Sequence, residues 1–398
     1  RMTSFSDNNI RILLITRIIR NFYFGYLSFI LPLYLKFIGF SYIVIGLYAF
    51  VATISSSILV LLSGFSGDLY SRRKMLMIMS SLTIFLFMVL LITRNPTIIF
   101  MTSVLGISFS AMGGGAGGGP IAPLINAMVA DRIDKGRTTV YSIMTASGTF
   151  SGVAGGVFSY FVISRIYGYY HVLFITGFIL AIISVALTFF IEESQTHIKN
   201  EESRNILPKK SGKKIIMISI AGAMGSLGLG IILPLMSLYF KAKGLNTSSI
   251  SLIFTGSYIL AGIAVIMSPY FERIFGTIKG IVIFRALGSV LLVFIPFVPV
   301  LAGAAIYIIR TAFYQMALPI RQNFSMNVFT SDERSRGSSI TGIFRRLPYG
   351  VATSIGGALF AVGFFALAFI SAGLLSLLDP FLYYLFFKEY SVKSTATP

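Results

Sequence analysis

The chain has 398 residues and a formal net charge of +19, yet only 11% of its residues are charged and 56% are hydrophobic. A helix needs about 20 apolar residues to cross the hydrocarbon core of a bilayer, and apolar runs of that length recur along this chain. The runs are continuous rather than alternating, which favours helices over a transmembrane barrel. There is no cysteine, so disulfides and thiolate metal ligands are excluded. The composition therefore predicts an all-α membrane protein.

Twelve transmembrane helices are predicted along the chain. The first six cover Ile12–Ile38, Tyr42–Gly64, Met75–Ile92, Thr97–Met128, Thr139–Ile163 and Tyr167–Ile191. The next four cover Ile215–Phe240, Ser249–Tyr270, Gly280–Ile295 and Val300–Asn323. The stretch Ser338–Phe387 has room for two more, with a turn expected near Gly363.

A polar segment, residues 192–214, divides these helices into two sets of six. We therefore expect an N-terminal six-helix bundle over residues 1–191, a linker over 192–214 and a C-terminal six-helix bundle over 215–398. Internal similarity supports a duplication, because LYLKFIGFS at Leu33–Ser41 resembles LYFKAKGLN at Leu238–Asn246. Repeated halves around a central site are a common design of secondary transporters.

Lysine and arginine residues concentrate in alternate loops and in the central segment. The loops after the second and fourth predicted helices hold Arg72, Arg73, Lys74, Arg132, Lys135 and Arg137. Because cytoplasmic loops carry the basic excess, we expect both termini and the linker in the cytoplasm, with the chain in the plasma membrane. The basic side should favour an anionic inner leaflet. Nucleic-acid binding is not expected, because it needs an accessible basic surface.

The loop after the second predicted helix carries the sequence GFSGDLYSRRK, from Gly64 to Lys74. This stretch resembles the signature of the major facilitator superfamily, although Ser71 replaces a usual glycine. The matching positions are Gly64, Gly67, Asp68, Arg72 and Arg73. The first predicted helix and ALPIRQNF at Ala317–Phe324 are also similar to many members, so the resemblance covers essentially the whole chain.

The resemblance implies twelve helices in two pseudo-symmetric six-helix bundles, which move a small organic solute by alternating access. It also implies that Asp68 and Arg72 latch the two halves together in the outward-facing state. A carboxylate at this place can pair with Arg132 or Arg137, and a charge pair at a sliding interface can act as a two-state element. The alternative is a basic loop that sets topology, with one neutralising acid.

The fourth predicted helix contains an unusual run of glycines, GGGAGGGP, ending at Pro120. Each glycine costs about 1 kcal/mol relative to alanine inside a helix. Two interpretations stay open: close packing against neighbouring helices or a hinge for alternating access. The glycines are Gly113, Gly114, Gly115, Gly117, Gly118 and Gly119.

Charged residues inside predicted helices point to a solute site, because an ionisable residue within a membrane span is a functional candidate by default. Seven arginines qualify: Arg17, Arg20, Arg285, Arg310, Arg321, Arg345 and Arg346. Arg17, Arg20, Arg285 and Arg321 are placed near predicted cytoplasmic ends, where long side chains can reach the membrane surface. We expect these four to act mainly as anchors, and we keep Arg20 as a candidate solute contact.

Arg310 lies about ten residues into its predicted helix, and therefore about 15 Å deep at 1.5 Å per residue. Tyr307 and Tyr314 share its helix face. A similar group follows in the next predicted helix: Arg345, Arg346 and Tyr349. The planar guanidinium can hold a carboxylate or phosphate through two hydrogen bonds, so these residues predict a cavity for an anionic or carboxylate-bearing solute.

Asp379 is the only acid inside a predicted helix. It is either a proton carrier or the structural partner of an arginine, and Arg310 is one candidate for that partner. His171 and His197 are isolated in the sequence, and a metal site needs several converging ligands. No metal, cofactor or catalytic residue is expected.

The residues and the resemblance together predict a secondary transporter of a small organic solute, and no enzyme. A drug–proton antiporter and a non-transporting sensor on the same scaffold stay open as alternatives. Cation exporters of the first kind generally carry an acid in the first helix, and Ile12–Ile38 contains none. The expected partners are the solute, the lipid bilayer and, as a candidate coupling ion, the proton. The chain is expected to act as a monomer.

Overall fold

The computed structural model describes residues 7–69, 71–107, 119, 121, 124–125, 128–129, 132, 137–192, 211–329 and 334–393. At 64–69, 137–142, 326, 334–336, 338–339 and 391–393 it describes the backbone alone. Every regular element of the described chain is a helix, which confirms the all-α prediction. The helices are α1 Asn8–Phe37, α2 Tyr42–Leu69, α3 Arg72–Ile92, α4 Pro96–Met101, α5 Arg137–Arg165, α6 Tyr169–Thr188, α7 Gly212–Ala242, α8 Thr247–Phe275, α9 Thr277–Phe294, α10 Val300–Val328, α11 Arg334–Ala361 and α12 Phe365–Lys393.

Ten helices of the described chain are long and apolar enough to cross a membrane. They are α1, α2, α3, α5, α6, α7, α8, α9, α10 and α12. Within α7, a 3-10 turn at Leu233–Leu235 interrupts the α-helix at Pro234. The short α4 begins the fourth predicted helix, half of which lies outside the described residues. Helix α11 is as long as its neighbours but contains four arginines.

The two similar sequence segments also end their helices in the same way. Gly39 follows α1 with a φ angle of +100°, and Gly244 follows α7 with a φ angle of +90°. Glycine is favoured here because it adopts positive φ without the steric cost of a Cβ atom. The turn predicted near Gly363 is confirmed, since α11 ends just before it and α12 begins just after it.

The backbones of α1 and α5 approach each other closely. A Cβ atom added at Gly155 would lie 1.9 Å from the carbonyl oxygen of Phe22, and one added at Gly25 would lie 2.3 Å from the carbonyl oxygen of Gly152. Small residues allow such contacts between membrane helices, where dispersion and packing replace the hydrophobic driving force. The glycine-rich stretch of α5 is therefore a helix-packing surface.

The chain divides into two compact units. The first unit comprises Arg1–Ser41, Val51–Lys199 and Gly244–Thr255, and the second comprises Tyr42–Phe50, Asn200–Lys243 and Gly256–Pro398. Each unit thus takes a short segment from the other predicted half. The first unit has a buried core that includes Leu13 and Met79, and the second has one that includes Ile281 and Phe324.

The close contact between α1 and α5 predicts a specific sensitivity to size. Gly155→Ala should lower the free energy of unfolding by about 1–3 kcal/mol, the usual cost of overpacking, because the added methyl group meets the Phe22 carbonyl. Denaturant unfolding in detergent micelles measures this change.

Gly342 in α11 offers a matched control, because a Cβ atom added there meets nothing within 4 Å. Gly342→Ala should leave the stability unchanged or raise it by up to about 1 kcal/mol, the helix-propensity gain of alanine over glycine. Equal stability of the two variants would show that α1 and α5 are not in backbone contact.

Candidate functional site

A buried carboxylate lies at the centre of the charged groups in the second unit. Asp379 on α12 has 0% of its surface exposed. Its Oδ2 forms an ion pair with Nε of Arg285 on α9, and its Oδ1 lies 3.8 Å from Nη1 of Arg321 on α10. Two cations on one buried acid leave a net positive charge, so the ion pairs alone do not neutralise these helices. We call Arg285, Arg310, Arg321, Arg345 and Asp379 the arginine cluster.

Two tyrosines support the cluster with both rings and hydroxyls. Nη2 of Arg285 donates a hydrogen bond to the hydroxyl of Tyr314, and Nε of Arg321 donates one to the hydroxyl of Tyr383 at 2.9 Å. The guanidinium carbons of Arg285 and Arg310 lie 4.4 and 5.3 Å from the centre of the Tyr314 ring. A cation over an aromatic face is stabilised by the ring quadrupole. The tyrosines therefore help to hold several like charges close together.

Arg310 is buried without a counter-ion of its own among the described residues. Only 2% of its surface is exposed, and its Nε donates a hydrogen bond to the carbonyl oxygen of Gly288 at 3.3 Å. Its Nη2 is buried with no hydrogen-bond partner in the described part of the chain. The alternative in which Arg310 pairs with Asp379 is not realised, because the ion pairs of Asp379 are with Arg285 and Arg321.

Glycines of α7 make room for the cluster. A Cβ atom added at Gly222 would lie 2.5 Å from Nη2 of Arg321 and 2.9 Å from Cδ of Arg345. One added at Gly225 would lie 3.1 Å from Nη2 of Arg285. The long arginine side chains thus reach the α7 backbone only because these positions lack side chains.

The second group of predicted solute contacts lies on α11, and its members have different environments. Arg345 lies against Gly222 and interacts electrostatically with Arg321 and Arg285, yet its side chain stays exposed. Arg346 is half-buried, and Tyr349 is buried. These contacts are why Arg345 is included in the arginine cluster. Unlike Arg285, Arg310 and Arg321, it is accessible to solvent.

Tyr307 completes the predicted face of α10. It is 6% exposed, lies within electrostatic range of Arg310 and packs edge-on against Phe240 with 5.8 Å between ring centres. Tyr307, Arg310 and Tyr314 are thus brought together as the spacing predicts, with Tyr314 half-buried. Phenol and guanidinium groups on one face can donate several hydrogen bonds to the same ligand.

Arg285 and Arg321 were expected to reach the membrane surface, and the structure contradicts this. They are 3% and 4% exposed and are engaged with Asp379. Both helices extend further than predicted: α10 continues to Val328 rather than ending near Asn323, and α9 begins at Thr277 rather than Gly280. Because the helices are longer, both arginines lie further from the helix ends than predicted. The sequence feature that could have indicated these ion pairs was Asp379, because an acid within a membrane helix needs a cationic partner.

The remaining predicted residues belong mostly to the first unit. Arg20 was also expected to act as a surface anchor, but it is buried at 8% exposure and lies near Tyr23 and Arg17. Arg72 opens α3, and Nη2 of Arg73 donates a hydrogen bond to the carbonyl oxygen of Phe189 at 2.5 Å. For Gly64, Gly67 and Asp68 the structure describes only the helical backbone of α2, so the pairing predicted for Asp68 lies outside the described residues.

Two further predictions concern the region between α4 and α5. Arg132 forms an ion pair with Asp7 at 3.3 Å and donates a hydrogen bond to the Glu192 carbonyl at 2.7 Å. Gly119 is described as a half-buried bend, whereas the rest of the glycine run lies outside the described residues. Those glycines are Gly113, Gly114, Gly115, Gly117 and Gly118.

Comparison with known proteins assigns the chain to a family. The model of the Major Facilitator Superfamily matches residues 13–353, so the chain belongs to that superfamily, as its motif predicted. Members of the superfamily are transporters rather than enzymes, and this chain is a multi-pass membrane protein that acts as a secondary transporter of a small solute. The search of curated proteins found no match.

Solved structures show the same fold at low sequence identity. The nucleoside transporter NupG is 16% identical with a TM-score of 0.68, and covers 96% of this chain and 99% of its own. A D-xylose–proton symporter is 14% identical with a TM-score of 0.68, covering 95% and 98%. The human organic anion transporter MFSD10 (TETRAN) is 12% identical with a TM-score of 0.64, covering 94% and 98%. The predicted twelve-helix superfamily fold is confirmed, and its subfamily stays unresolved.

The ion pairs predict which substitutions are energetically coupled. Asp379→Asn should destabilise the protein by about 3–5 kcal/mol, because it leaves Arg285 and Arg321 without their buried counter-ion. Adding Arg285→Gln should restore part of that loss, giving a coupling energy of about 0.5–3 kcal/mol in a double-mutant cycle. The measurement is denaturant unfolding in detergent micelles.

Arg310→Gln is the matched control, because Arg310 is equally buried but has no ion pair with Asp379. Its coupling to Asp379→Asn should be clearly smaller than that of Arg285→Gln. Coupling of the same size for both arginines would contradict the pairing described above.

Proposed function

We propose that the transported solute is an anion, or carries a carboxylate, phosphate or polarised oxygen, and that Arg310 engages it with Arg345 or Arg346 assisting. The observation that carries this proposal is the buried Nη2 of Arg310, which has no hydrogen-bond partner among the described residues. A guanidinium fork can hold a carboxylate or phosphate by two hydrogen bonds.

The energetics favour an external counter-ion. On insertion scales an arginine at the centre of a membrane helix costs about 2.5–3.5 kcal/mol. Asp379 does not offset this cost for Arg310, because it is already shared by Arg285 and Arg321. A bound anionic solute would supply the missing charge and accept the unused hydrogen bonds.

Neighbouring side chains suit this role. Tyr307 and Tyr314 flank Arg310 and can hydrogen-bond to oxygens of the same solute. Arg345 is exposed while also interacting with Arg285 and Arg321, so it can meet an arriving anion before the buried arginines do. Arg20 stays a candidate contact from the first unit.

A drug–proton antiporter has less support, because cations outnumber acids at the site and would repel a cationic drug. If protons are coupled to transport, the candidate carriers are Asp379, Asp68 and the acid group of the solute itself. A non-transporting sensor would bind the solute without exchanging it across a membrane. Solute counterflow in vesicles therefore distinguishes a transporter from a sensor.

We also propose that the chain lies in the plasma membrane with both termini and residues 192–214 in the cytoplasm. The support is the concentration of basic residues in alternate loops. In this orientation the motif from Gly64 to Arg73 lies on the cytoplasmic side, where Asp68 and Arg72 can serve as the latch of the outward-facing state.

The orientation predicts where a protease can cut. Protease added to the outside of right-side-out vesicles should leave residues 192–214 intact, whereas permeabilised vesicles should be cut there. Cleavage of this segment from outside in sealed vesicles would overturn the orientation.

The role of Arg310 predicts a charge-selective loss of binding. In a thermal-shift screen of anionic, neutral and cationic metabolites, anions should stabilise the wild-type protein. Arg310→Gln should weaken binding of the stabilising anion by at least about 30-fold, because an interaction with a buried charge is removed.

Arg273→Gln is the control, because Arg273 is an exposed arginine at the end of α8. It should bind the same anion like the wild type. If Arg310→Gln binds and transports that anion with wild-type affinity, Arg310 is not the anion site.

A further inference from the structure

The buried part of the arginine cluster holds more positive charge than one small anion neutralises. Arg285, Arg310 and Arg321 are 3%, 2% and 4% exposed, and Asp379 is 0% exposed. Three cations and one carboxylate give a net charge of +2 for these groups. Building on the proposed function, we infer that the solute site takes a dianion, either a phosphate monoester or a dicarboxylate.

Charge balance is the first step in this inference. Burying an unpaired charge is far more costly than burying a neutral hydrogen-bonded group. A monoanion would leave one uncompensated positive charge among these side chains, whereas a dianion brings their sum to zero. Arg345 is left out of this sum because its exposed guanidinium can be solvated by water.

The hydrogen-bond inventory gives the same result independently. Three guanidinium nitrogens of the cluster are buried without a hydrogen-bond partner among the described residues. Nε of Arg285 has an ion pair with Asp379, which leaves Nη2 of Arg310 and Nη2 of Arg321 with neither. They belong to two different arginines, so one monodentate anion does not satisfy both readily. A dicarboxylate can offer one carboxylate to each nitrogen, whereas a phosphate can accept from one of them and offset the charge of the other.

The two nitrogens belong to one connected group of side chains. Arg310 and Arg321 are eleven residues apart on α10, close to three helical turns, so they share a face and lie about 16 Å apart along the helix axis. Tyr314 lies between them on that face and contacts both Arg310 and Arg285. Arg285 is paired with Asp379, and Asp379 is also paired with Arg321. A dianion bound to this face would therefore interact with the whole cluster.

The test compares ligands that differ in charge but little in shape. Phenyl phosphate and benzenesulfonate are dianionic and monoanionic at pH 8, and succinate and monomethyl succinate form a second such pair. Binding to the purified full-length protein is measured by thermal shift and by calorimetric titration. At least one dianion should bind about tenfold more tightly than its monoanionic partner, or better, because it gains one more charged hydrogen bond. The pair that shows the difference identifies the phosphate or the dicarboxylate as the recognised chemistry.

Variants test whether the preference arises from the cluster. Arg310→Gln lowers the buried net charge to +1 and should remove the preference, so that the two members of a pair bind within about threefold of each other. Arg310→Lys keeps the charge and should keep the preference at lower affinity. Arg273→Gln removes an exposed charge elsewhere and should behave like the wild type.

The outcomes separate this inference from the proposed function. If both monoanions bind to the wild-type protein as tightly as their dianionic partners, the dianion inference is overturned while the anion site stands. If no anion of either pair binds, both are overturned. An Arg310→Gln variant that keeps the full dianion preference would show that the preference arises outside the cluster.

Discussion

The burial of Asp379 between two arginines is the interaction on which the second unit depends. A carboxylate within a membrane helix is tolerated where cations neutralise it, and here the cations come from two other helices. Arg285 is on α9, Arg321 is on α10 and Asp379 is on α12, so the charges fix the relative positions of three helices. The glycines of α7 are part of the same arrangement, because side chains at Gly222 and Gly225 would occupy the space of the guanidiniums.

The arginine cluster contains more cations than acids, and this excess is the basis of the proposed anion site. A purely structural ion pair is best balanced, since uncompensated buried charge lowers stability. Arg310 adds a buried charge that Asp379 does not meet, and its Nη2 has no partner among the described residues. Tyr314 stabilises the close approach of Arg285 and Arg310 through its ring. The anionic solute proposed above would complete this arrangement, so binding of the solute and stability of the bundle are expected to be linked.

The sequence predicted most of the fold because the signals of helix length, basic loops and superfamily motif are all local. Arg310 could be selected because it lies deep in its predicted helix, and Asp379 because it is the single acid in a span. Arg285 and Arg321 were assigned to the membrane surface because their helices were predicted too short. Helix ends are weakly marked where polar residues such as Asn323 continue the helix. Which arginine pairs with Asp379 depends on the packing of α9, α10 and α12, and helix spacing alone does not specify it.

The glycine-rich segments also show that the sequence of one helix does not specify what that helix contacts. The glycines of α5 are in backbone contact with α1, since Gly155 lies against the Phe22 carbonyl. The glycines of α7 look similar in sequence, yet they border arginines and Asp379. What a small residue makes room for is decided by the neighbouring helix.

The position of a bound anion tests most directly whether the excess charge of the cluster forms the solute site. Molybdate is a tetrahedral dianion whose metal scatters anomalously, so diffraction from crystals grown or soaked with it locates the ion. The anomalous peak should lie in the second unit with molybdate oxygens about 3 Å from guanidinium nitrogens of Arg310, and it should be lost in Arg310→Gln crystals. Molybdate found only on the exposed basic loops, or a peak that persists unchanged in the variant, would contradict an anion site at the arginine cluster.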